Sequence, residues 1–204
     1  MLITSKHGKG NKIHLHVDGE YTITTTERVW YDSGYSDGAE LSDEEWSALC
    51  ESINFAKMYA RALDLLDLRD HSRREIVDKL VTKYGYDKRE LANAVCDKLA
   101  EGGLLDDERF AHIYADELVR RKHVSPTGLR AALSAKGVGK GIIDMILDEL
   151  ELNPIESISY FLDTKFRDRD LTDDKQCEKT ITALYRLGFS ISDIKNVITN
   201  RQNS

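Results

Sequence analysis

Three groupings in this chain have residue types that could do chemistry, and each has a competing folding role. His14 and His16 stand two apart, which on a strand puts two imidazoles on one face as a metal pair. No Asp, Glu or Cys follows at ligand spacing, and a protein metal site needs three or four donors, so the polar face of a hairpin accounts for them better. Asp106-Asp107-Glu108 has the charge for a divalent cation. Consecutive helical residues diverge by about 100° and do not face one site, whereas acids at a helix N-terminus are favoured by the macrodipole. Gly137-x-Gly139-x-Gly141 resembles a phosphate loop but lacks the preceding strand and the lysine-serine pair. It reads as a helix-to-helix turn whose amides, with Lys136 and Lys140, remain able to touch a phosphate. No nucleophile sits with a base at a recognisable spacing. The expectation is a non-enzymatic protein without metal or cofactor.

With no active site to place, charge becomes the main functional signal. The net charge is −7, but residues 1–70 carry 13 acids against 7 bases, while residues 71–204 are nearly balanced. Within the second part, residues 118–143 contain Arg120, Arg121, Lys122, Arg130, Lys136 and Lys140 and no acid. The overall sign argues against a dedicated duplex-DNA binder. The local stretch suits a polyanion or an acidic protein face, and its bland alternative is a solvated helix surface. It has no interleaved aromatics for base stacking. Cys50, Cys96 and Cys177 are scattered and odd in number, so they read as small apolar side chains in a reducing compartment. No apolar run reaches membrane-spanning length and the first residues lack a signal-peptide core, so a cytoplasmic location is expected.

The elements that must position these charges follow from a repeat. Gly85, Gly137 and Gly188 lie 52 and 51 residues apart. Each is followed by a large apolar residue (Tyr86, Val138, Phe189), then by apolar residues six positions on (Leu91, Ile143, Ile194) and ten positions on (Val95, Leu147, Ile198). A fixed period of this size means stacked copies of one small helical unit. Each glycine is expected to end a helix as its left-handed C′ residue. Ser72 with Glu75 forms a capping box, Asp87 with Glu90 caps the next helix, and 102–103 stop it. Phe110, Ile113 and Leu118 point inward from a helix opening at Asp106-Asp107. Ser125-Pro126 and Asn153-Pro154 are N-caps with proline at the first helical position. Upstream, Ser42 and Glu45 cap a helix with an apolar stripe of Trp46, Leu49, Ile53, Ala56, Ala60 and Leu63, running to about residue 69 or broken once. Before it, the alternation at 13–17 and 21–24 around Asp18-Gly19 predicts a hairpin, with a strand at 1–4 able to join it. Residues 32–38 punctuate the chain.

Longer motifs carry a resemblance. L-L-D-L-R-D-H-S-R-R-E-I-V-D-K-L (65–80), G-L-L-D-D-E-R-F-A (103–111) and L-V-R-R-K-H-V-S-P-T-G-L-R-A-A-L-S-A-K-G-V (118–138) resemble the RecX family, bacterial regulators of the RecA recombinase. The likeness extends over residues 10–200 and includes Arg186-Leu187-Gly188-Phe189. One departure is Ser125-Pro126, where the family commonly has Gly-Pro. The resemblance implies a modulator lying along the groove of the RecA–single-stranded DNA filament, usually repressing strand exchange, ATP hydrolysis and co-protease activity.

The fold expected is therefore mainly α: tandem three-helix repeats in an elongated curved array behind a small N-terminal β-hairpin element. The divisions are 1–40 (β element), 41–103 (linking helix and first repeat), 104–152 and 153–204 (second and third repeats). Arg73, Arg74, Arg120, Arg121, Lys122, Arg130, Lys136 and Lys140 are the expected filament or DNA contacts. Ser72, Asp107 and Phe110 also match family motifs, but capping and packing explain them. The expected partners are the RecA filament and single-stranded DNA, with no membrane, and the chain is expected to be a monomer. The rival reading is a helix-turn-helix transcription regulator. The third helices of the first two repeats carry Asp97, Asp144, Asp148 and Glu149, a poor match to DNA.

Overall fold

The structure, a computed structural model, describes residues 1–203. Its elements run β1 (Leu2–His7), β2 (Lys12–Val17), β3 (Glu20–Thr26), α1 (Glu27–Asp32), β4 (Ala39–Glu40), α2 (Asp43–Leu68), α3 (Arg73–Tyr84), α4 (Arg89–Glu101), α5 (Asp107–Lys122), α6 (Pro126–Ala135), α7 (Lys140–Glu149), α8 (Pro154–Asp163), α9 (Asp174–Arg186) and α10 (Ile191–Gln202). The described residues divide into two compact units: Met1–His71 with Ile76–Leu105, and Ser72–Glu75 with Asp106 onward. The protein is mainly helical with a small N-terminal sheet, as the periodicity predicts.

The sheet is antiparallel throughout, in the order β3-β2-β1-β4. Its hairpin turns where Asp18-Gly19 predicts: both residues have positive φ, 50° and 90°. The Asp18 carboxylate also accepts from the Leu2 amide at 2.9 Å, which fastens β1 to the turn. Ile3, Ile13 and Leu15 bury one sheet face against Trp30, Leu41, Leu49 and Ile53. Two pieces go beyond the sequence reading. Residues 27–32 form a helix capped by Thr26, and 39–40 add an edge strand. Both are too short to show a period, and α1 is anchored by one buried side chain, Trp30.

The long helix α2 is unbroken and opens on the expected capping box. Its apolar stripe differs from expectation. Leu49 and Ile53 are buried, but then Met58, Ala62 and Leu65 rather than Ala56, Ala60 and Leu63. The five-residue step from Ile53 to Met58 turns the buried face by about 140°. The first half of α2 packs on the sheet and the second half on α3 and α4. One helix thus serves two cores on different faces.

The second unit holds two further cores, one of α5–α7 and one of α8–α10. Ser125 and Asn153 cap α6 and α8 with proline at the first turn, as predicted. In α5, Phe110 and Leu118 point inward, but Ile113 is 52% exposed. The inward face carries Ala111 and Ala115 instead, because the helix buries positions 110, 111, 115 and 118 as one i/i+4 stripe.

Two of the three repeated glycines behave alike. At the end of α6, the Gly137 amide donates to Ser134 O and the Val138 amide to Leu133 O. At the end of α9, Gly188 donates to Tyr185 O and Phe189 to Leu184 O. Both glycines have φ near +85°, 81° and 88°, and Val138 and Phe189 turn into the core. This is the six-to-one and five-to-two bonding that a left-handed C′ residue allows. Gly85 is a correction. Its φ is 115° but its ψ is 143°, so the chain leaves α3 extended and makes a 3-10 turn over Tyr86–Lys88. Tyr86 is 71% exposed, and α4 starts at Arg89 with no side-chain cap from Asp87. Gly188→Ala should lower stability by more than about 1 kcal/mol, since an L side chain is strained at positive φ. A Cβ there would also lie 2.6 Å from Ser125 Oγ. Gly141→Ala, in open space in the first turn of α7, should be neutral or stabilise by up to about 1 kcal/mol in a urea titration.

Candidate functional site

The repeat carries a second motif besides the glycine. Ser72 and Ser125, 53 residues apart, are buried to 0% and 1% exposure although both are helix N-caps. Each hydroxyl accepts a helix amide, Ser72 from Glu75 at 3.2 Å and Ser125 from Gly128 at 3.0 Å. Each also donates to a carbonyl far along the chain. Ser72 Oγ reaches Lys136 O at 2.6 Å, and Ser125 Oγ reaches Leu187 O at 2.7 Å. Those two carbonyls belong to the residues just before Gly137 and Gly188. The start of one repeat's middle helix is therefore bolted to the end of the next repeat's middle helix. Both bolts lie in the second unit, which explains why Ser72–Glu75 group with it. The glycines have a second reason to be glycine here: a Cβ on Gly137 would lie 2.6 Å from Arg74 Cβ.

Around the Ser72 bolt the structure gathers charged groups. Lys136 Nζ sits 2.6 Å from Glu75 Oε1, with only 14% of the Glu75 side chain exposed. The same ammonium lies 5.5 Å over the Tyr114 ring. Asp107 accepts the Arg73 amide at 2.7 Å, so it caps α3 rather than its own helix. Asp106 caps α5, accepting from Glu108 and Arg109. Both acids stand at the start of α5, as expected, and Asp107 serves the start of α3 in addition. The sequence carries a signal for these bolts: two N-cap serines lie 53 residues apart, close to the 52- and 51-residue spacing of the glycines. It carries none for their partners, 64 and 62 residues away.

The eight candidate cations fall into three environments. Arg73, Arg74 and Lys136 surround the Ser72 bolt. Arg120, Arg121 and Lys122 fill the last turn of α5, where cations suit the carbonyl end of a helix. Arg120 Nε reaches the Asp116 carbonyl at 3.4 Å and Arg121 pairs with Glu117 at 3.2 Å, one turn back. Arg130 on α6 pairs with Asp144 on α7 at 2.5 Å, and Lys140 opens α7. Among the described residues, Lys122 and Lys140 have no carboxylate partner, and both are exposed. His123, which follows Lys122, has φ 48° and stacks on Tyr160 with ring centroids 3.6 Å apart.

The other groupings resolve into folding roles. His14 Nδ1 bonds Thr24 Oγ1 at 2.7 Å, and His14 and His16 both meet Tyr21 edge-on. Among the described residues, no three His, Cys, Asp or Glu side chains are grouped to hold a metal ion. Gly137 ends α6, Gly139 caps α7 and Gly141 lies in its first turn. No described helix is long and apolar enough to cross a membrane.

Three-helix groups in tandem, joined through buried N-cap serines, define a helical-repeat protein. The comparisons with known proteins name the family. Residues 106–147 match the model of the second three-helix domain of RecX. The regulatory protein RecX of Halorhodospira halophila is 31% identical over 134 residues, 66% of this chain and 81% of that protein. That of Caldanaerobacter subterraneus subsp. tengcongensis is 25% identical over 202 residues, 97% of this chain and 98% of that protein. A crystal structure of regulatory protein RecX shares the fold with a TM-score of 0.68 over 96% of both chains at 24% identity. This chain belongs to the RecX family of regulatory proteins.

The bolts give a stability prediction. Ser125→Ala removes a cap and leaves the Leu187 carbonyl without this donor. It should cost about 2 kcal/mol or more. Asp173→Ala removes the exposed cap of α9, which accepts the Gln176 amide, and should cost about 1 kcal/mol or less. Equal losses in chemical denaturation would contradict the bolt.

Proposed function

We propose that this chain binds the filament that RecA forms on single-stranded DNA and represses its recombinase, ATPase and co-protease activities. The observation that carries this reading is the acid-free stretch 118–143, which lies on the same three-helix unit that matches the RecX family model. A filament groove offers carboxylates and phosphates together, and a basic face on an otherwise acidic protein meets both without holding free duplex tightly. The proposal also includes four modules, 1–40, 41–103, 104–152 and 153–204, acting as a monomer in the cytoplasm.

Within the eight assigned cations the contacts differ in kind. Arg120, Arg121, Lys122 and Lys140 are exposed and lightly committed, so an incoming anion engages them at low cost. Arg130 and Lys136 are already paired with Asp144 and Glu75, and an incoming partner must compete with those carboxylates, while Arg73 and Arg74 stand beside the Ser72 bolt. Replacing Lys136 would disturb the Ser72 bolt as well as the surface, so it does not belong in a clean test of binding.

The quadruple variant Arg120→Ala, Arg121→Ala, Lys122→Ala, Lys140→Ala should keep the parent's melting curve, because exposed charges contribute little stability. It should need at least about tenfold more protein to inhibit DNA-dependent ATP hydrolysis by RecA, and its binding should depend less on salt. Inhibition equal to the parent's would make the stretch a solvated face. A parent without effect on RecA would overturn the function itself.

A further inference from the structure

The first unit contains a cleft of about 680 Å³ between the sheet and the helices α2 and α3. Its rim and walls carry Lys12, Arg28, Lys57, Arg61 and Lys83, and one carboxylate, Asp64. The acidity of residues 1–70 makes this selective. Four of the seven bases in that segment line the cleft, and one of its thirteen acids does. Lys12, Lys57 and Lys83 have no carboxylate partner among the described residues. Arg28 meets Asp32 at 3.6 Å in solvent, and Arg61 meets Asp64 at 3.9 Å. The cations are spread across β2, α1, α2 and α3, so their convergence is a product of the fold.

The floor is aromatic. Phe55 and Tyr59, one turn apart on α2, hold their rings within 15° of parallel with centroids 6.1 Å apart. Tyr84 joins them, its hydroxyl donating to Lys57 O at 3.2 Å and its ring flanked by Lys83 Nζ at 5.4 Å. Burial pushes the Lys57 ammonium below its ordinary pKa, and an anion in the cleft would oppose that shift.

From this arrangement we infer that the cleft is a binding site for single-stranded nucleic acid, with phosphates along the Lys12, Arg28 and Lys83 rim and a base on the Phe55 and Tyr59 rings. Ring faces combined with several separated cations fit a flexible strand that alternates planar bases with charges. A duplex keeps its bases stacked on each other and presents only their edges. An acidic peptide would satisfy the cations but has no need of the flat apolar rings. The site shares no residue with the stretch 118–143, and its test contains no RecA, so the two readings stand or fall apart.

The test is fluorescence anisotropy of a labelled oligothymidylate titrated with the full chain at several salt concentrations. Lys12→Gln, Arg28→Gln, Lys83→Gln together should weaken binding at least about tenfold and lower the log–log salt slope by about 2, three contacts at about 0.7 each. Tyr59→Leu should weaken binding about fivefold or more with the slope unchanged, since stacking releases no counterions. The three rim residues are exposed, so their variant keeps the fold and decides the matter if Tyr59→Leu melts. A parent that does not bind the oligonucleotide, or a rim variant that binds it like the parent, overturns the assignment. So does a rim variant that loses affinity for polyglutamate but not for oligothymidylate, which would make the cleft a seat for an acidic protein segment.

Discussion

The second unit depends on a hydroxyl that serves two helices at once. A serine at an N-cap normally satisfies one orphan amide and faces water. Here Ser72 and Ser125 are sealed from solvent, and each spends its proton on a carbonyl at the end of another helix. Helix starts lack partners for their amides and helix ends lack partners for their carbonyls. Joining a start to an end through one side-chain oxygen meets both needs, and it does so only at one separation and one angle. Alanine lacks the oxygen and can make neither bond. The glycine beyond each carbonyl follows from the same closeness, because the neighbouring helix start occupies the space a Cβ would need. The cap of α9, by contrast, is an exposed aspartate, Asp173.

This constraint sorts the charges. Lys136 and Glu75 flank a bolt, so their pairing is drawn partly out of water and belongs to the architecture. Arg120, Arg121 and Lys122 lie at the free end of α5, where the helix dipole favours them and solvent surrounds them. Two cations close in sequence can therefore differ in what they do. The same segment 118–143 supplies both a structural lysine and exposed, lightly committed charges. Family membership gives the surface a context, and the geometry indicates which of its cations are free to meet a partner.

The sequence made much of the fold legible wherever a local rule had no competitor. Asp18-Gly19 gave the hairpin because both positions need positive φ, and the proline-led starts of α6 and α8 were readable from two residues each. It misled where one segment answers to two surroundings. The second half of α2 buries Met58, Ala62 and Leu65, since it leaves the sheet for another core, and a single stripe drawn along it picks the wrong face. Gly85 shares the period of Gly137 and Gly188 but not their geometry, because a 3-10 turn takes the place of the buried apolar residue that follows the others. The candidate surface was legible as composition. The partners of Lys136, Asp107 and the two serines were not, for these are contacts across 34 to 64 residues. The basic cleft of the first unit was hidden for the same reason, its cations being diluted among acids along the chain.

Site-resolved hydrogen exchange on the Ser125→Ala variant tests the bolt most directly. If the hydroxyl joins the two helices, exchange should quicken at the start of α6, where Gly128 donates to it. It should quicken equally at Gly188 and Phe189, whose amides close the end of α9 around the Leu187 carbonyl. The Asp173→Ala variant should show a local change alone. Faster exchange confined to the first turn of α6, with the end of α9 unchanged, would mean that Ser125 is an ordinary cap and that the units are held together by something else.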